Sequence, residues 1–585
     1  MLRGMTSSPL HNDPSMKTTD PSSTPWQGAP PWIRLRRWLQ FEKSNLWVAV
    51  IYSLAIGILS LALPLATQTL VNTVAFGSIL QPIVVLSILL LAFLTFSSVL
   101  QTLRQYVVEM LQRRVFVQMA SDSVDRLLRA RASAFDGVHP PELVNRFLEV
   151  VTVQKATSTL LIDGLTVLMQ TVIGLALLAV YHPFLGILDF FLIVCIVIVL
   201  GPLGYGAVTT AVKESKAKYA LVAWLQEVGR HLDAFKSGPG ARFALHRSNE
   251  LVKDYLDYRK KHFRILLRQI VGSLAVQTLA STALLGVGGF LVINRELTLG
   301  QLVASELVLA LVVSGFAKFG KHLETYYDLC AAVDKLGYLT DLKTETSGPD
   351  RMPDRTGEGA TLTLRNLTFQ YPAGAKPVFE NLHLEVPSGS RVAISGRSGD
   401  GKSTLIDILW RLRTPQQGVV EVDGNDIRNY ALESFRTEVA IVRVNEVFQG
   451  SILDNVAFGR TDVDTLRVRE ALAAVGLLDD LDALPDGMHS EVSTFGLPLS
   501  SGQALRLALA RAIAGRPRLL IIDEILDRID DVSLRTTLLK SLFERSAPWT
   551  LLVTTDNATI LGMCDAVYEL RRGALVEISN PGGKG

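Results

Sequence analysis

Between Lys43 and Arg104 the sequence contains no charged side chain over a stretch of about sixty residues. A membrane-spanning helix needs about twenty consecutive apolar residues, so this stretch predicts two such helices. Hydrophobic residues make up 48% of the chain and charged residues only 19%, a balance that indicates bilayer-embedded segments. Four more apolar segments follow, and the six predicted spans are residues 46–66, 80–100, 165–181, 184–205, 270–293 and 301–317.

The charges of the connecting segments predict the orientation of the spans. Residues 67–79 and 181–183 carry no Lys or Arg, whereas residues 104–159 carry eight and residues 213–268 carry more. Basic residues accumulate on the cytoplasmic side of a membrane. We therefore expect both termini, both long connections and the second half of the chain in the cytoplasm. The helical periodicity of the long connections predicts that the helices continue beyond the bilayer.

Distinctive compositions predict the domain boundaries. Residues 1–30 are rich in Pro, Ser, Thr and Asp and predict a disordered tail. Residues 31–43 place arginines among Trp and Leu, which predicts an interfacial amphipathic helix at the start of a membrane domain covering residues 31–343. Residues 344–359, rich in Gly, Pro, Asp and Arg, predict a linker. Short apolar strands alternate with helices in residues 360–585, which predicts an α/β domain.

Charge and cysteine content exclude some functions. The net charge of +2, from 58 basic and 56 acidic residues, gives no basis for nucleic-acid binding. Cys195, Cys330 and Cys564 are widely separated, so they lack metal-ligand spacing and do not form a disulfide framework. We expect them to be structural thiols.

Residues 396–404 match the phosphate-binding pattern Gly-x-x-x-x-Gly-Lys-Ser/Thr. They lie between an apolar run that predicts a strand and one that predicts a helix, as this loop requires. Glycines let backbone N–H groups surround the phosphates, and the helix N-terminus adds its positive dipole. We expect Lys402 to reach the β- and γ-phosphates of ATP and Ser403 to hold Mg²⁺. The residues predicted to bind ATP are Gly396, Arg397, Ser398, Gly399, Asp400, Gly401, Lys402, Ser403 and Thr404.

Three further motifs flank this loop in the sequence. An apolar run beginning at Arg518 ends in two carboxylates, Asp523 and Glu524. Asp523 suits water-mediated Mg²⁺ binding, and Glu524 suits activation of the attacking water as the catalytic general base. Tyr371, upstream of the loop, is placed to stack on adenine. Another segment has hydroxyl and backbone N–H groups suited to a γ-phosphate, and it consists of Leu499, Ser500, Ser501, Gly502 and Gln503.

The order of these motifs resembles that of the ABC transporter family, in which the Leu-Ser-Ser-Gly-Gln segment is the signature. The resemblance covers essentially the whole chain. It implies a multidomain membrane protein, with a six-helix transmembrane domain of the ABC exporter type and a C-terminal α/β P-loop ATPase domain. Such a half-exporter dimerises, and each ATP lies between one chain's phosphate loop and the other chain's signature. Asp530 corresponds to the acid of the family's D-loop.

Two segments, residues 61–72 and 297–303, are similar to bacterial type I secretion exporters. This similarity implies a multi-pass protein of the bacterial inner membrane, a second half-transporter chain as partner and a periplasmic adaptor protein. The implied function is ATP-driven export of a protein, a peptide or a lipid-like molecule. The alternative is a regulatory or degenerate half of a heterodimer that binds ATP and hydrolyses it weakly.

The chain departs from the family's pattern at four places. Arg443 stands where the family has a Gln, and Asp556 stands where it has the switch His. Thr494 replaces an expected Glu, and residues 527–528 replace small residues of the D-loop. A carboxylate at position 556 cannot donate a hydrogen bond to a γ-phosphate. Three explanations stay open.

The first explanation is compensation, in which Arg443 either pairs with Asp556 or supplies the charge stabilisation that the His would give. The second is drift towards an inactive site. The third is a heterodimer in which this chain is the degenerate half, although the retained Glu524 argues against it.

Two acidic residues, Asp189 and Glu306, lie in otherwise apolar predicted spans. Charges in a membrane are costly and often mark a transport pathway. We therefore expect an acid that extends to the outer interface or forms a hydrogen bond between helices, and the alternative is a contact with the substrate.

Overall fold

The computed structural model describes residues 30–75, 80–136, 140–353, 358–372, 376–443, 447–493, 496–529 and 531–578. The chain divides into two compact units. One comprises Met1–Ala130 and Gly137–Lys343, and the other comprises Arg131–Asp136 and Thr344–Gly585. The predicted tail, apart from Pro30, lies outside the described residues, as do Thr494 and Asp530.

The first unit is entirely helical in its described part. Its α-helices are α1 (Pro31–Phe41), α2 (Lys43–Leu59), α3 (Ala62–Ala75), α4 (Leu80–Leu128), α5 (Pro140–Asn145), α6 (Glu149–Thr159), α7 (Leu165–Tyr181), α8 (Pro183–Leu200), α9 (Ala207–Arg230), α10 (Leu232–Phe235), α11 (Gly238–Ile293) and α12 (Leu299–Thr340). Within the described residues, six helical segments are long and apolar enough to cross a membrane. The prediction of six spans is therefore confirmed.

The spans continue well past their apolar windows, as predicted. At a rise of 1.5 Å per residue, the 56 residues of α11 extend about 80 Å, more than twice the thickness of a hydrocarbon core. The fourth span is shorter than predicted, because α8 ends at Leu200 and residues 201–206 form turns. Pro202 lacks a backbone N–H, and Gly206 has a φ of 84°, so this segment does not continue the helix.

One arginine of α1 is buried against the last span. The Arg34 guanidinium donates to Asp341 Oδ2 at 2.7 and 2.9 Å and lies 3.4 Å from Asp334 Oδ1. It passes directly over Gly337, where a Cβ would lie 2.2 Å from Arg34 Cζ. The glycine is therefore required for this contact between α1 and α12.

In its described part, the second unit contains a six-stranded, a four-stranded and a two-stranded sheet, with helices packed against them. Its strands are β1 (Leu362–Phe369), β2 (Phe379–Val386), β3 (Arg391–Ser395), β4 (Gln417–Val422), β5 (Asn425–Asp426), β6 (Val439–Val442), β7 (Gly450–Ser451), β8 (Glu491–Val492), β9 (Leu519–Asp523), β10 (Thr550–Thr554), β11 (Ala566–Arg571) and β12 (Ala574–Ile578). Its α-helices are α13 (Lys402–Leu409), α14 (Leu432–Glu438), α15 (Ile452–Ala457), α16 (Thr465–Ala474), α17 (Leu478–Leu481), α18 (Ser501–Ala514), α19 (Val532–Phe543) and α20 (Ala558–Leu561).

The larger sheet has the order β12-β11-β3-β10-β9-β6, and only β12 is antiparallel to its neighbour. A smaller antiparallel sheet has the order β2-β1-β4-β5. Every residue of β3, β9 and β10 is buried, as expected for parallel strands covered on both faces. The carboxyl ends of these three adjacent strands lie at one edge, where ligands bind in sheets of this kind.

Candidate nucleotide-binding site

Three neighbouring strands bring the predicted ATP-site residues together. β10 lies between β3 and β9, and its Thr554 is in register with Ile394 on one side and Asp523 on the other. The phosphate loop follows β3, Glu524 follows β9, and Asp556 follows β10. Residues that are far apart in the sequence therefore meet at one edge of the sheet.

The phosphate loop has the glycine-dependent geometry that its sequence predicts. Gly396, Gly399 and Gly401 have φ values of 147°, 94° and 103°, which side chains rarely adopt. Gly401 precedes α13, and a Cβ there would lie 2.5 Å from Val378 Cγ1. The loop therefore reaches the helix with its backbone exposed towards the site.

Other residues of the loop hold its shape or face outward. The backbone N–H of Arg397 donates to Asp400 Oδ2 at 3.0 Å. Ser398 and Ser403 are exposed, and Thr404 is buried. The exposed Ser403 is therefore available to a ligand bound at this loop.

Lys402 is a buried cation surrounded by oxygen atoms. Its Nζ donates to the Gly396 carbonyl at 2.5 Å, and it lies 3.1 Å from Glu524 Oε1 and 3.9 Å from Asp556 Oδ2. The Lys402 side chain is only 4% exposed. The lysine, the predicted base and the residue at the switch position therefore form one cluster.

Thr554 organises the two carboxylates at the end of β9. Its hydroxyl donates to Asp523 Oδ1 at 2.8 Å and accepts the Glu524 backbone N–H at 2.9 Å. That N–H also lies 3.2 Å from the Thr554 carbonyl. Glu524 has a φ of 55°, an uncommon conformation for a residue with a side chain, of the kind found at functional sites.

Arg443 does not pair with Asp556, so the pairing form of the compensation hypothesis is wrong in this structure. Arg443 Nη1 donates to Asp407 Oδ1 at 2.6 Å, Nη2 donates to the Ser403 carbonyl at 3.2 Å, and Nε lies 3.3 Å from Asp523 Oδ2. Asp556 Oδ1 instead accepts the Gly396 N–H at 3.0 Å.

Tyr371 lies beside the phosphate loop, as its predicted role requires. Its hydroxyl is 2.9 Å from Thr404 Oγ1, and its ring packs edge-on against Phe369 at a centroid distance of 5.1 Å. The Arg413 guanidinium lies 4.7 Å from the ring centroid. These contacts fix the ring next to the first turn of α13.

Three residues that the sequence motifs do not identify extend the charged cluster: Asp407, Arg413 and Asp136. Arg413 Nε donates to Asp407 Oδ2 at 3.1 Å, and its two Nη atoms donate to both oxygens of Asp136 at 2.7 and 3.0 Å. This hydrogen bonding lowers the pKa of the Asp136 carboxyl and raises the pKa of Arg413. Asp407 could have been identified from the sequence, because it lies one helical turn after Ser403. The pair of Asp136 and Arg413, separated by 277 positions, left no such signal.

The signature segment is built separately from this cluster. Ser500 caps α18, its hydroxyl accepts the Gln503 N–H at 3.3 Å, and Gln503 Nε2 donates to Asp480 Oδ2 at 3.3 Å. Among the described residues, no hydrogen bond joins residues 499–503 to the phosphate loop. The segment presents the exposed residues Ser501 and Gly502 at a helix N-terminus.

The two acids of the membrane helices have different environments. Asp189 in α8 is 5% exposed, and neither of its carboxylate oxygens has a hydrogen-bond partner among the described residues. Glu306 in α12 is half-buried, and its Oε2 likewise lacks such a partner. Asp189 therefore faces the interior of the helical unit, and the expected interhelical hydrogen bond is not found for it among the described residues.

Two family models match this chain, and both describe ABC transporters. The model of the ABC transporter transmembrane region matches residues 46–316, and the ABC transporter model matches residues 379–527. The chain therefore belongs to the ABC transporter family, with the transmembrane region and an ATPase domain coupled to transport in one polypeptide.

Several relatives are similar along most of the chain. The alpha-hemolysin translocation ATP-binding protein HlyB of Escherichia coli is 23% identical over 90% of this chain and 74% of its own length. The exotoxin translocation ATP-binding protein PaxB of Pasteurella aerogenes is 25% identical, and the leukotoxin translocation ATP-binding protein LktB of Mannheimia glucosida is 25% identical, with the same coverage. The weak resemblance to type I secretion exporters is thus confirmed.

The fold is also similar to a solved structure described as a bacterial Atm1-family ABC exporter with ATP bound. The TM-score is 0.82 at 21% identity, and the match covers 92% of this chain and 94% of that one. This similarity confirms the predicted fold, in which a six-span helical domain is fused to an α/β ATPase domain.

Proposed function

We propose that this chain is one half of a dimeric exporter that uses ATP hydrolysis to move a protein, a peptide or a lipid-like molecule across a bacterial inner membrane. The toxin-translocation relatives, which match 90% of the chain, support export of this kind. The observation that carries the proposal is the contact of Lys402, at the end of the phosphate loop, with Glu524, which follows Asp523 at the carboxyl end of β9. The proposed domains are residues 31–343 and 360–585, joined by residues 344–359.

In the proposed site, the phosphate loop and Lys402 bind the phosphates of ATP, and Tyr371 stacks on adenine. Glu524 accepts a proton from the attacking water, and its position is fixed by the hydrogen bonds of its backbone N–H. The Ser403 hydroxyl and the Asp523 carboxylate are hard oxygen donors that fit Mg²⁺. When bound, Mg²⁺ would neutralise charge that develops on the phosphates.

The proposed site is completed by a second chain. Ser501 and Gly502 of the signature are exposed at a helix N-terminus, and such a terminus attracts anions. They lack hydrogen bonds to their own phosphate loop within the described residues, which supports a role against the ATP of a partner half-transporter. Asp530 would belong to the same interface. A periplasmic adaptor protein is a further proposed partner, which the resemblance to type I secretion exporters implies.

The proposed site is partly degenerate. Asp556 lies 3.9 Å from Lys402 and occupies the Gly396 N–H, so its carboxylate is directed at groups that phosphates would use. A carboxylate there opposes the developing negative charge, and losing one donor at such a position typically lowers the rate by about 10²–10³. This contact also favours the second candidate function, a half-transporter that binds ATP, turns it over weakly and regulates its partner.

The test is ATP turnover by the purified chain in lipid nanodiscs, beside the variant Glu524→Gln. Turnover that Glu524→Gln abolishes, with ATP binding retained, would support a self-sufficient exporter. ATP binding without turnover in the wild-type chain would overturn that function and support the regulatory half.

A second comparison tests whether Arg443 compensates for Asp556. We expect Arg443→Gln alone to impair turnover more than Arg443→Gln combined with Asp556→His. Equal losses in the two variants would contradict compensation and leave drift of the site or a degenerate half of a heterodimer as the explanations.

A further inference from the structure

The guanidinium of Arg443 lies between the two residues that are expected to hold Mg²⁺. Its Nη2 donates to the Ser403 carbonyl at 3.2 Å, and its Nε is 3.3 Å from Asp523 Oδ2. Ser403 is the first hydroxyl after Lys402, and Asp523 ends β9. A positive charge that belongs to the protein therefore lies 3.3 Å from one expected metal ligand and contacts the backbone of the other.

Arg443 is held there by a supported carboxylate. Its Nη1 donates to Asp407 Oδ1 at 2.6 Å, and the other oxygen of Asp407 accepts from Arg413 Nε at 3.1 Å. The side chains of Asp407 and Arg413 are 17% and 14% exposed, whereas that of Arg443 is 25% exposed. The support is thus more buried than the guanidinium, which stays accessible from the site.

Several carboxylates lie around the phosphate loop, so phosphate binding there requires a compensating positive charge. Asp407, Asp523, Glu524 and Asp556 all contact Lys402 or Arg443. Polyphosphate adds further negative charge, which a site of this composition binds only with compensation. A guanidinium supplies a permanent charge and several donors suited to phosphate oxygens, so it can provide this compensation without a metal.

We propose that Arg443 is a phosphate-binding residue that can substitute for Mg²⁺ in nucleotide binding, so that this site binds ATP with or without the metal. The proposal rests on the proposed function of ATP binding at the phosphate loop and concerns binding alone. Glutamine at this position would carry no charge, and nucleotide binding would then depend on the metal.

The experiment measures the affinity of the full chain in nanodiscs for ATP that carries a fluorescent ribose substituent. Each titration is performed with Mg²⁺ and again with EDTA, so no turnover is needed. The variants are Arg443→Gln, Arg443→Lys and the control Arg365→Gln. Arg365 is an exposed arginine of β1 that pairs with Glu421 at 3.3 Å, away from the phosphate loop.

For the wild-type chain and for Arg365→Gln, we expect removal of Mg²⁺ to weaken binding by less than about threefold, because the resident guanidinium remains. In Arg443→Gln we expect the same removal to weaken binding by about tenfold or more, the loss typical of one hydrogen bond to a charged group. Arg443→Lys should fall between the two, since it keeps the charge and loses the planar fork.

The outcomes separate this inference from the function on which it rests. If the wild-type chain binds the nucleotide with Mg²⁺ and releases it in EDTA, this result would overturn the role of Arg443. The proposed ATP site would still be supported. Failure to bind in both conditions would overturn the proposed function itself. Metal-free binding that is equally strong in the wild-type chain and in Arg443→Gln would also overturn the role of Arg443, and Arg443→Lys provides the comparison if Arg443→Gln does not fold.

Discussion

Replacing Thr554 with valine tests how the two carboxylates of β9 are held. The substitution keeps the shape of the side chain and removes the hydroxyl. That hydroxyl donates to Asp523 Oδ1 at 2.8 Å and accepts the Glu524 N–H at 2.9 Å. Thr554 is 2% exposed, so water does not readily replace either hydrogen bond.

The expected loss follows from the two partners. The hydrogen bond to the Asp523 carboxylate contributes about 2 kcal/mol, within the range for bonds to charged groups. The bond from the Glu524 N–H contributes about 0.5 kcal/mol, because that N–H keeps the Thr554 carbonyl at 3.2 Å as a second acceptor. We therefore expect Thr554→Val to lower the free energy of unfolding of the ATPase domain by about 2.5 kcal/mol. In a domain of this size, such a loss lowers Tm by about 5–10 °C.

The assay is differential scanning calorimetry of the full chain in nanodiscs. The transition that rises in temperature on addition of ATP belongs to the unit that binds it, and this transition is compared between variants. Thr536→Val is the matched control, because Thr536 is exposed on α19 and its hydroxyl donates only to the carbonyl of Val532 in its own helix. We expect the control to stay within about 0.5 kcal/mol of wild type. A Thr554→Val transition within about 1 °C of wild type would refute the reasoning.

Two further predictions concern the loop and its surroundings. Gly401→Ala should weaken ATP binding by about tenfold or more in a titration, because a φ of 103° is strained for alanine and the new Cβ would meet Val378 Cγ1. Gly399→Ala, with a φ of 94° and open space, should cost less, and equal losses would contradict the clash. Asp136→Asn should reduce hydrogen-exchange protection of Arg131–Asp136 modestly, by about 0.5–1 kcal/mol, since the pair with Arg413 is partly exposed. The pKa of Asp136 is lowered from 3.8. After correction for intrinsic exchange rates, the hydrogen-exchange protection of the wild-type segment should therefore persist from neutral pH down to 3.8 and fall only below it. A loss of protection at higher pH would contradict the pairing.

The sequence by itself determined the features that depend only on residues close together in the chain. The uncharged stretch after Lys43 predicted membrane spans, because the transfer of apolar side chains into a bilayer depends on composition and length. The phosphate loop could be identified from the sequence because its glycines and Lys402 lie within nine contiguous residues. The end of the fourth span was predicted too late, since hydropathy continues past Leu200 while Gly201 and Pro202 interrupt the helix.

The sequence also identified Arg443 and Asp556 as departures from the family's pattern, but it did not determine their partners. Their chemistry suggested that opposite charges would meet, and the tertiary structure instead gives Arg443 the carboxylate of Asp407 and Asp556 the N–H of Gly396. Partner choice depends on which side chains share one edge of the folded sheet. The pair of Asp136 and Arg413, separated by 277 positions, shows the same limit, because a contact formed by folding over that separation has no periodic or local signature in the chain.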